Sequence, residues 1–400
     1  MTRRICVVTG TRAEYGLLQG VIHGLKAAAD IELQLVVTGT HLSPEFGMTV
    51  GEIEADDVVI DERVEMLLSS DTAVGVGKGM GLGLIGFSDS FARLKPDVVV
   101  LLGDRFEIFA AAAAALVAGL PIGHIHGGET TEGAFDEAIR HSVTKMSHLH
   151  FVAAEPYRDR VIQLGESPDR VFMVGGLGVD ASKRLELLGR DALARRLGFQ
   201  FRPRNLLITF HPATLDDGEA ADQVEALCDA LDGLGEDTGL IFTLPNADTG
   251  GRAIARRIEA FAASRPNAVV HSSLGLLGYL SCLAQVDAVV GNSSSGLLEA
   301  PTFRVGTVNI GDRQAGRLKA ASVIDCAPHK DAIMAALAQV LSPSFRREIA
   351  TVVNPYGEGG ASEAIVRILR EHPLDGLVKK RFHDLGAEAD GRKTTTRAEG

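Results

Sequence analysis

ICVVTGTRAEYG, residues 5–16, joins a β-branched apolar run to a glycine and then to a polar segment of helical composition. A strand that stops at glycine and passes straight into a helix is the first half of a βαβ unit. Comparable runs recur at LQLVVTG (33–39), VVVLLGD (98–104), PIGHIHGG (121–128), LHFVAA (149–154) and VFMVGG (171–176), most of them separated by helix-length segments. Runs that are apolar throughout, rather than alternating, mark parallel strands buried on both faces by crossover helices. After a polar, Arg-rich stretch at about 182–204 a second series follows: LLITFHP (206–212), LIFTLPN (240–246), AVVHSS (268–273), DAVVGNSS (287–294) and VGTVNIG (305–311). The expectation is an α/β protein with two Rossmann-like units in tandem, residues 1–177 and 178–354, each a parallel sheet flanked by helices. ASEAIVRILRE (361–371) sets Ala364, Ile365, Ile368 and Leu369 at helical spacing. Segment 355–378 is therefore expected to pack back as a helix, and the polar stretch 379–400 to fray.

The size agrees. At roughly 150 residues per domain, 400 residues make two to three domains, and 46% hydrophobic with 23% charged residues suits packed cores. The formal charge of −12 disfavours nucleic acid and anionic membrane surfaces as partners, so any phosphate site must be built locally. Cysteines 6, 228, 282 and 326 show neither C-x-x-C pairing nor metal-ligand spacing, which suits reduced thiols in a cytoplasmic protein. The longest small-and-apolar stretch, 108–120, is shorter than the ~18 to 20 residues a membrane span needs, and the N-terminus enters a strand too early for a signal peptide.

Ligands of doubly wound sheets bind beyond the carboxyl ends of the strands, so the residues just after each run matter most. Thr9-Gly10-Thr11-Arg12 offers free backbone N–H groups at a helix start plus a guanidinium, a natural phosphate site; a plain tight turn is the alternative. It is not G-x-G-x-x-G, so a nicotinamide dinucleotide is not indicated. That formal pattern does occur at Gly81, Gly83 and Gly86, but without a preceding strand; Met80, Leu84, Phe87, Phe91 and Leu94 recur at helical spacing there, so the glycines read as helix-packing positions. The preceding stretch, 69–78, reads as a loop near the cleft.

Asp104 follows a strongly hydrophobic strand, where partial desolvation favours a general base; capping the next helix is the competing role. His124-Ile125-His126-Gly127-Gly128-Glu129 and Asp136-Glu137-Ala138-Ile139-Arg140 form the densest polar cluster. Alternation puts His124 and His126 on one face, and Asp136 can pair with Arg140 one turn on. A metal is disfavoured because no third ligand has suitable spacing. His148 and His150, a second H-x-H, read as solvated or structurally satisfied. In the second series His211 ends a strand, where it can donate to a phosphoryl oxygen or act as a catalytic acid, with a satisfied interface histidine as the alternative; Asn246 ends the next, and Gly291-Asn292-Ser293-Ser294-Ser295-Gly296 brings hydroxyls and amides to a helix start, with Glu299 placed to accept from a ribose diol.

Taken together, TGTRAEYG, LGDRFE, HIHGGE, DEAIRHSVTKMSHLH, FHP, PNAD, GNSSSG and NIGDRQAGR resemble, in order, the UDP-N-acetylglucosamine 2-epimerase family, in the hydrolysing branch that feeds sialic-acid-type nonulosonate synthesis. The resemblance spans about residues 3–372. It implies a glycosyltransferase-B-like architecture with a UDP-sugar between the two units, and an assembly of two or four chains. Arg12, His211, Asn246, Ser293, Ser294, Ser295, Gly296 and Arg313 then correspond to UDP ligands and Glu299 to the ribose ligand. Asp104, Asp136 and Glu137 match acidic positions used in catalysis. The glutamate that other branches carry in HVEAG or HIEGGE aligns with His126, so His126 or Glu129 must take its role. The implied reaction releases UDP, needs neither metal nor nicotinamide, and yields N-acetylmannosamine from UDP-N-acetylglucosamine. The alternative substrate is a UDP-2,4-diacetamido-2,4,6-trideoxyglucose. A glycosyltransferase or a non-catalytic UDP-sugar-binding protein on the same fold are the other classes.

Overall fold

The computed structural model describes residues 2–70, 72–132, 134–212, 220–245 and 251–385. Two wholly parallel sheets carry the chain. The first comprises β1 (Arg3–Thr9), β2 (Ile31–Thr38), β3 (Glu62–Val64), β4 (Val98–Leu102), β5 (Ile122–Ile125), β6 (Leu149–Val152) and β7 (Val171–Met173), in the order β3-β2-β1-β4-β5-β6-β7. The second comprises β8 (Arg204–Thr209), β9 (Thr238–Thr243), β10 (Ala268–His271), β11 (Ala288–Gly291), β12 (Gly306–Ile310) and β13 (Val323–Cys326), in the order β10-β9-β8-β11-β12-β13. Each sheet is doubly wound, reversing direction between β1 and β4 and between β8 and β11. Loops diverge at such points and leave a crevice above the strand ends.

Alternate side chains of one strand enter opposite cores. On β1, Ile5 and Val7 pack with Leu18 and Ile22 of helix Arg12–Ala27, whereas Cys6 and Val8 pack with Phe87 and Phe106 on the other face. The same division holds for Ile208 and Leu207 of β8. Every one of these side chains is fully buried or nearly so, which is why the runs are apolar at both parities. Among the described residues no helix is long and apolar enough to cross a membrane.

Helix Ala361–Glu371 returns to the first sheet. Its Ile365 and Leu369 join the core of Ile5 and Leu18. The approach is tight: a Cβ at Gly20 would lie 2.3 Å from Ser362 Oγ, and one at Gly24 would lie 2.9 Å from Val366 Cγ2. The adjoining polar segment is not frayed where the chain is described. Lys380 Nζ donates to Lys145 O at 2.6 Å and Ser147 O at 2.7 Å and pairs with buried Glu166, while Phe382 covers Gly165. Composition misled here because the lysine stem supplies the burial and its ammonium finds four acceptors. Residues 386–400 lie outside the described residues.

Helix Ala73–Leu94 begins inside the stretch expected to be a loop. Gly83 and Gly86 sit on it as packing positions, facing Met66 and Val64, whereas Gly81 faces open space.

Candidate active site

The strand ends at the two reversal points face one another across a cleft of about 810 Å³. Arg12 lines it from the β1 loop; His211 lines it from the β8 loop; Ser293, Ser294, Ser295, Glu299 and Arg313 line it from the β11 and β12 loops. Seven of the expected residues thus share one crevice although up to 301 positions separate them (313 − 12). Asn246 lies outside the described residues.

The second-sheet half is built around Asn292. Its side chain accepts from His211 N–H at 2.7 Å and donates to His211 O at 2.8 Å, locking the β8 and β11 loops together. Its own carbonyl accepts from Arg313 Nη1 at 3.2 Å and Gln314 Nε2 at 2.8 Å. Sequence reasoning passed over Asn292, although it stands inside the GNSSSG block. Ahead of it, Gly291 has φ +134° and lies so close to β8 that a Cβ would fall 1.9 Å from Thr209 O. Only glycine accepts both conditions.

Glu299 is 7% exposed and its carboxylate lies over Gly178, where a Cβ would sit 1.9 Å from Oε1. Burial pushes this carboxyl up to about 7, partly offset by the Ser295 hydroxyl and by His126. A ribose diol donates to the ionised form, so binding favours loss of the proton. The ratio of UDP affinity in the wild type to that in Glu299→Gln is therefore expected to rise up to about tenfold between about pH 6 and 8 and to level off above. Calorimetric titration at several pH values reads this; a flat ratio removes Glu299 from the ribose contact. Across the cleft, Arg12 Nη2 pairs with half-exposed Glu52 at 2.7 Å and lies against Gly275, whose φ is +64°. So exposed a pair is weak and leaves the guanidinium available to a diphosphate.

Beside the cleft, buried Arg140 organises the acidic residues. Its guanidinium pairs with Asp104, reaches Glu137 Oε2 at 3.1 Å and donates to Thr131 Oγ1 at 2.7 Å and to Glu129 O at 3.1 Å. The i,i+4 partnership expected with Asp136 gives way to Glu137 at i,i+3, because Arg140 turns toward the β4 and β5 loops. Asp136 and Glu137 open helix Asp136–Met146, and Asp104 immediately precedes the N-cap Arg105 rather than capping. Burial raises the Glu137 carboxyl, but His141 and the Thr131 N–H more than offset it and hold it below its ordinary range.

His124 and His126 do not share partners. The strand β5 ends at Ile125, and His126 adopts φ +64°, so strand alternation stops one residue short. His124 is enclosed between Thr144 Oγ1 at 3.1 Å and Gly103 O at 2.7 Å, and burial pushes it down to about 3. His126 Nε2 accepts from Leu177 N–H at 3.3 Å, which puts the ring proton on Nδ1, 2.8 Å from Glu129 Oε1. A non-glycine residue in left-handed backbone costs ~1 to 3 kcal/mol and persists where its surroundings demand it. Glu129 is buried, which alone raises its carboxyl, yet His126 and Arg317 bring it below its ordinary range. His148 and His150 are structural: His148 Nδ1 accepts from Ile122 N–H at 3.1 Å, and His150 Nε2 meets Glu166 at 3.0 Å. Among the described residues no three His, Cys, Asp or Glu side chains are grouped to hold a metal ion.

Two doubly wound sheets with anion-receptive loops meeting over one crevice define a glycosyltransferase-B-like architecture, and solved structures agree. The Neisseria meningitidis UDP-GlcNAc 2-epimerase bound to UDP-GlcNAc superimposes with a TM-score of 0.79 at 19% identity, covering 92% of this chain and 100% of the other. A Glycyrrhiza uralensis glycosyltransferase superimposes with a TM-score of 0.59 at 10% identity over 94% and 96% of the two chains. The sequence profile of the UDP-N-acetylglucosamine 2-epimerase family matches residues 23–370, and the chain belongs to that family. Its hydrolysing branch is the relevant one. The GDP/UDP-N,N'-diacetylbacillosamine 2-epimerase (hydrolyzing) of Campylobacter jejuni is 39% identical over 96% of this chain and 99% of its own. The UDP-N,N'-diacetylbacillosamine 2-epimerase (hydrolyzing) of Legionella pneumophila is 37% identical over 94% and 98%. The polysialic acid biosynthesis protein P7 of Escherichia coli is 37% identical over 92% and 94%.

Proposed function

We propose that this chain converts a UDP-2-acetamido-2-deoxyhexose, with UDP-N-acetylglucosamine the first substrate to test, into UDP and the free 2-epimer, N-acetylmannosamine. One observation supports it above the rest: Arg12 of the first sheet and His211, Ser293, Ser294 and Arg313 of the second line the same cleft. That placement suits a diphosphate held from both sides. The same family likeness supports a cytoplasmic setting and an assembly of two or four chains.

The C2 proton of a pyranose is not acidic. Departure of UDP with the electron pair of the C1–O bond leaves positive character at C1 and makes C2–H removable. Cations and amides around the diphosphate stabilise the charge that develops on the leaving group, which is where such a site gains most. Asp104, with Asp136 or Glu137 next, takes the C2 proton, and a C1=C2 double bond forms. Water then adds its oxygen to C1 and a proton reaches C2 from the opposite face, so the net change is one water consumed and C2 inverted. We assign the return of that proton to His126 or Glu129, which stand 2.8 Å apart beside the cleft.

Incubation with UDP-N-acetylglucosamine in deuterated water is expected to release UDP and N-acetylmannosamine carrying deuterium at C2. Unlabelled N-acetylglucosamine would mean plain hydrolysis, sugar passed to an acceptor would mean a transferase, and binding without release would mean a receptor. The 2,4-diacetamido-2,4,6-trideoxyglucose nucleotide is a second reading. Met66, Leu67, Leu68, Val76 and Phe106 give the cleft an apolar wall suited to a 6-methyl and a second acetamido group. A kcat/KM ratio of roughly 10 or more between the two nucleotides decides which reading holds.

A further inference from the structure

Arg317 belongs to the 311–320 loop after β12, yet its guanidinium reaches the other sheet's β5 loop. Nε donates to Thr130 O at 2.7 Å, Nη2 to Thr131 Oγ1 at 3.1 Å, and Nη1 stands 3.4 Å from Glu129 Oε2, with the side chain 8% exposed. The docking is close along the backbone too. Gly316 has φ +77°, and a Cβ there would fall 2.6 Å from both Thr130 Oγ1 and Glu132 Oε1. Leu318 N–H donates to Tyr157 OH at 3.0 Å, and Tyr157 in turn meets Tyr356 OH at 2.9 Å. Four residues before Arg317, Arg313 grips the carbonyl of Asn292, the residue that carries the serine loop. One short segment therefore holds the diphosphate loop at one end and the His126–Glu129 pair at the other.

We propose that Arg317 is a positioning residue: by spanning from the diphosphate-binding unit to Glu129, it assembles the His126–Glu129 pair only when the two loops are docked. The inference rests on the reaction proposed above and adds a coupling between nucleotide seating and the acid–base groups. A guanidinium suits this task because its fixed fork serves a carbonyl, a hydroxyl and a carboxylate at once. Arg317 does not itself line the cleft, and the carboxylate its guanidinium approaches is that of Glu129.

The groups facing Glu129 are His124 of β5, His126 just beyond it, Arg140 at its backbone carbonyl, Tyr157, Tyr356, Glu299 and Arg317. Of the cations, Arg317 alone approaches the carboxylate from the other sheet. Removing it takes a positive charge from the carboxylate, so Glu129 protonates at higher pH. In Arg317→Ala the acid limb of the kcat profile is expected to move up by about one pH unit. Turnover is expected to fall by roughly 50-fold, the scale of losing a supporting partner. UDP affinity should stay within about threefold, because Arg12, the serines and Arg313 remain. Arg317→Lys, which restores charge without the fork, should return the limb and only part of kcat. Nitrogen-15 histidine NMR, with His126 assigned by its loss in His126→Gln, gives a readout independent of turnover: a single Nδ1–H tautomer in the wild type and a mixture in Arg317→Ala. An unmoved limb together with an unchanged His126 signal overturns the proposal, whether or not kcat falls. Absence of wild-type turnover would instead overturn the reaction, and the NMR comparison would still judge the positioning role.

Discussion

Asp104→Asn is expected to lower kcat by about 10³-fold while UDP binding changes less than about threefold. Asparagine keeps the volume and one acceptor for the Arg140 guanidinium but cannot take a proton from C2. The surroundings are prepared for the loss, since Arg140 retains Glu137, Thr131 and the Glu129 carbonyl. Stability should therefore hold, and an unshifted melting transition is part of the prediction. Turnover equal to the wild type would strike Asp104 from the reaction and move attention to Asp136 and Glu137. Deuterium exchange at C2 of unreacted substrate, measured beside product release, separates failure to remove the proton from failure to expel UDP.

Gly291→Ala is expected to act in the opposite manner, through the fold. The added Cβ meets the backbone oxygen of Thr209 at 1.9 Å, and φ +134° is a conformation alanine resists. Neither neighbour is a flexible side-chain end, so β8 and β11 must separate. A loss on the order of 4 kcal/mol follows, which lowers the melting temperature by about 10 °C in a chain of this size. UDP affinity should fall as well, because Asn292 and the serines hang from Gly291. A variant that melts with the wild type would show that the two strands have slack at this point.

The parallel cores were legible because their runs are apolar at both parities, and eleven strands fall within or beside those runs. The two that escaped, β3 and β13, read ERV and VIDC. Both are short sheet edges carrying charge, where only part of one face needs to be apolar. In the site, the loops ending in Arg12 and in the serines were legible because a glycine turn before a helix is local chemistry. The partners of Arg140 were not. Helical spacing offers Asp136 and Glu137 alike, and Asp104 enters only through the pairing of β4 with β5. Arg317 was quoted as the last letter of NIGDRQAGR and given no role, since nothing within its own neighbourhood reveals an acidic target 188 positions back (317 − 129). His126 shows the remaining limit: a face assigned by alternation fails where the strand stops one residue early.

The stretch that follows β7 and the stretch that returns to the helix at Ala361–Glu371 run side by side, with Gly176 N–H donating to Tyr356 O at 2.8 Å. A tether made of one strand of backbone behaves as a swivel, free to twist as well as bend. Two tethers stitched side by side behave as a door hinge, on which the jaws swing about one line and stay in register. A joint of that kind holds Arg12 and the serine loop to one line of approach across the mouth.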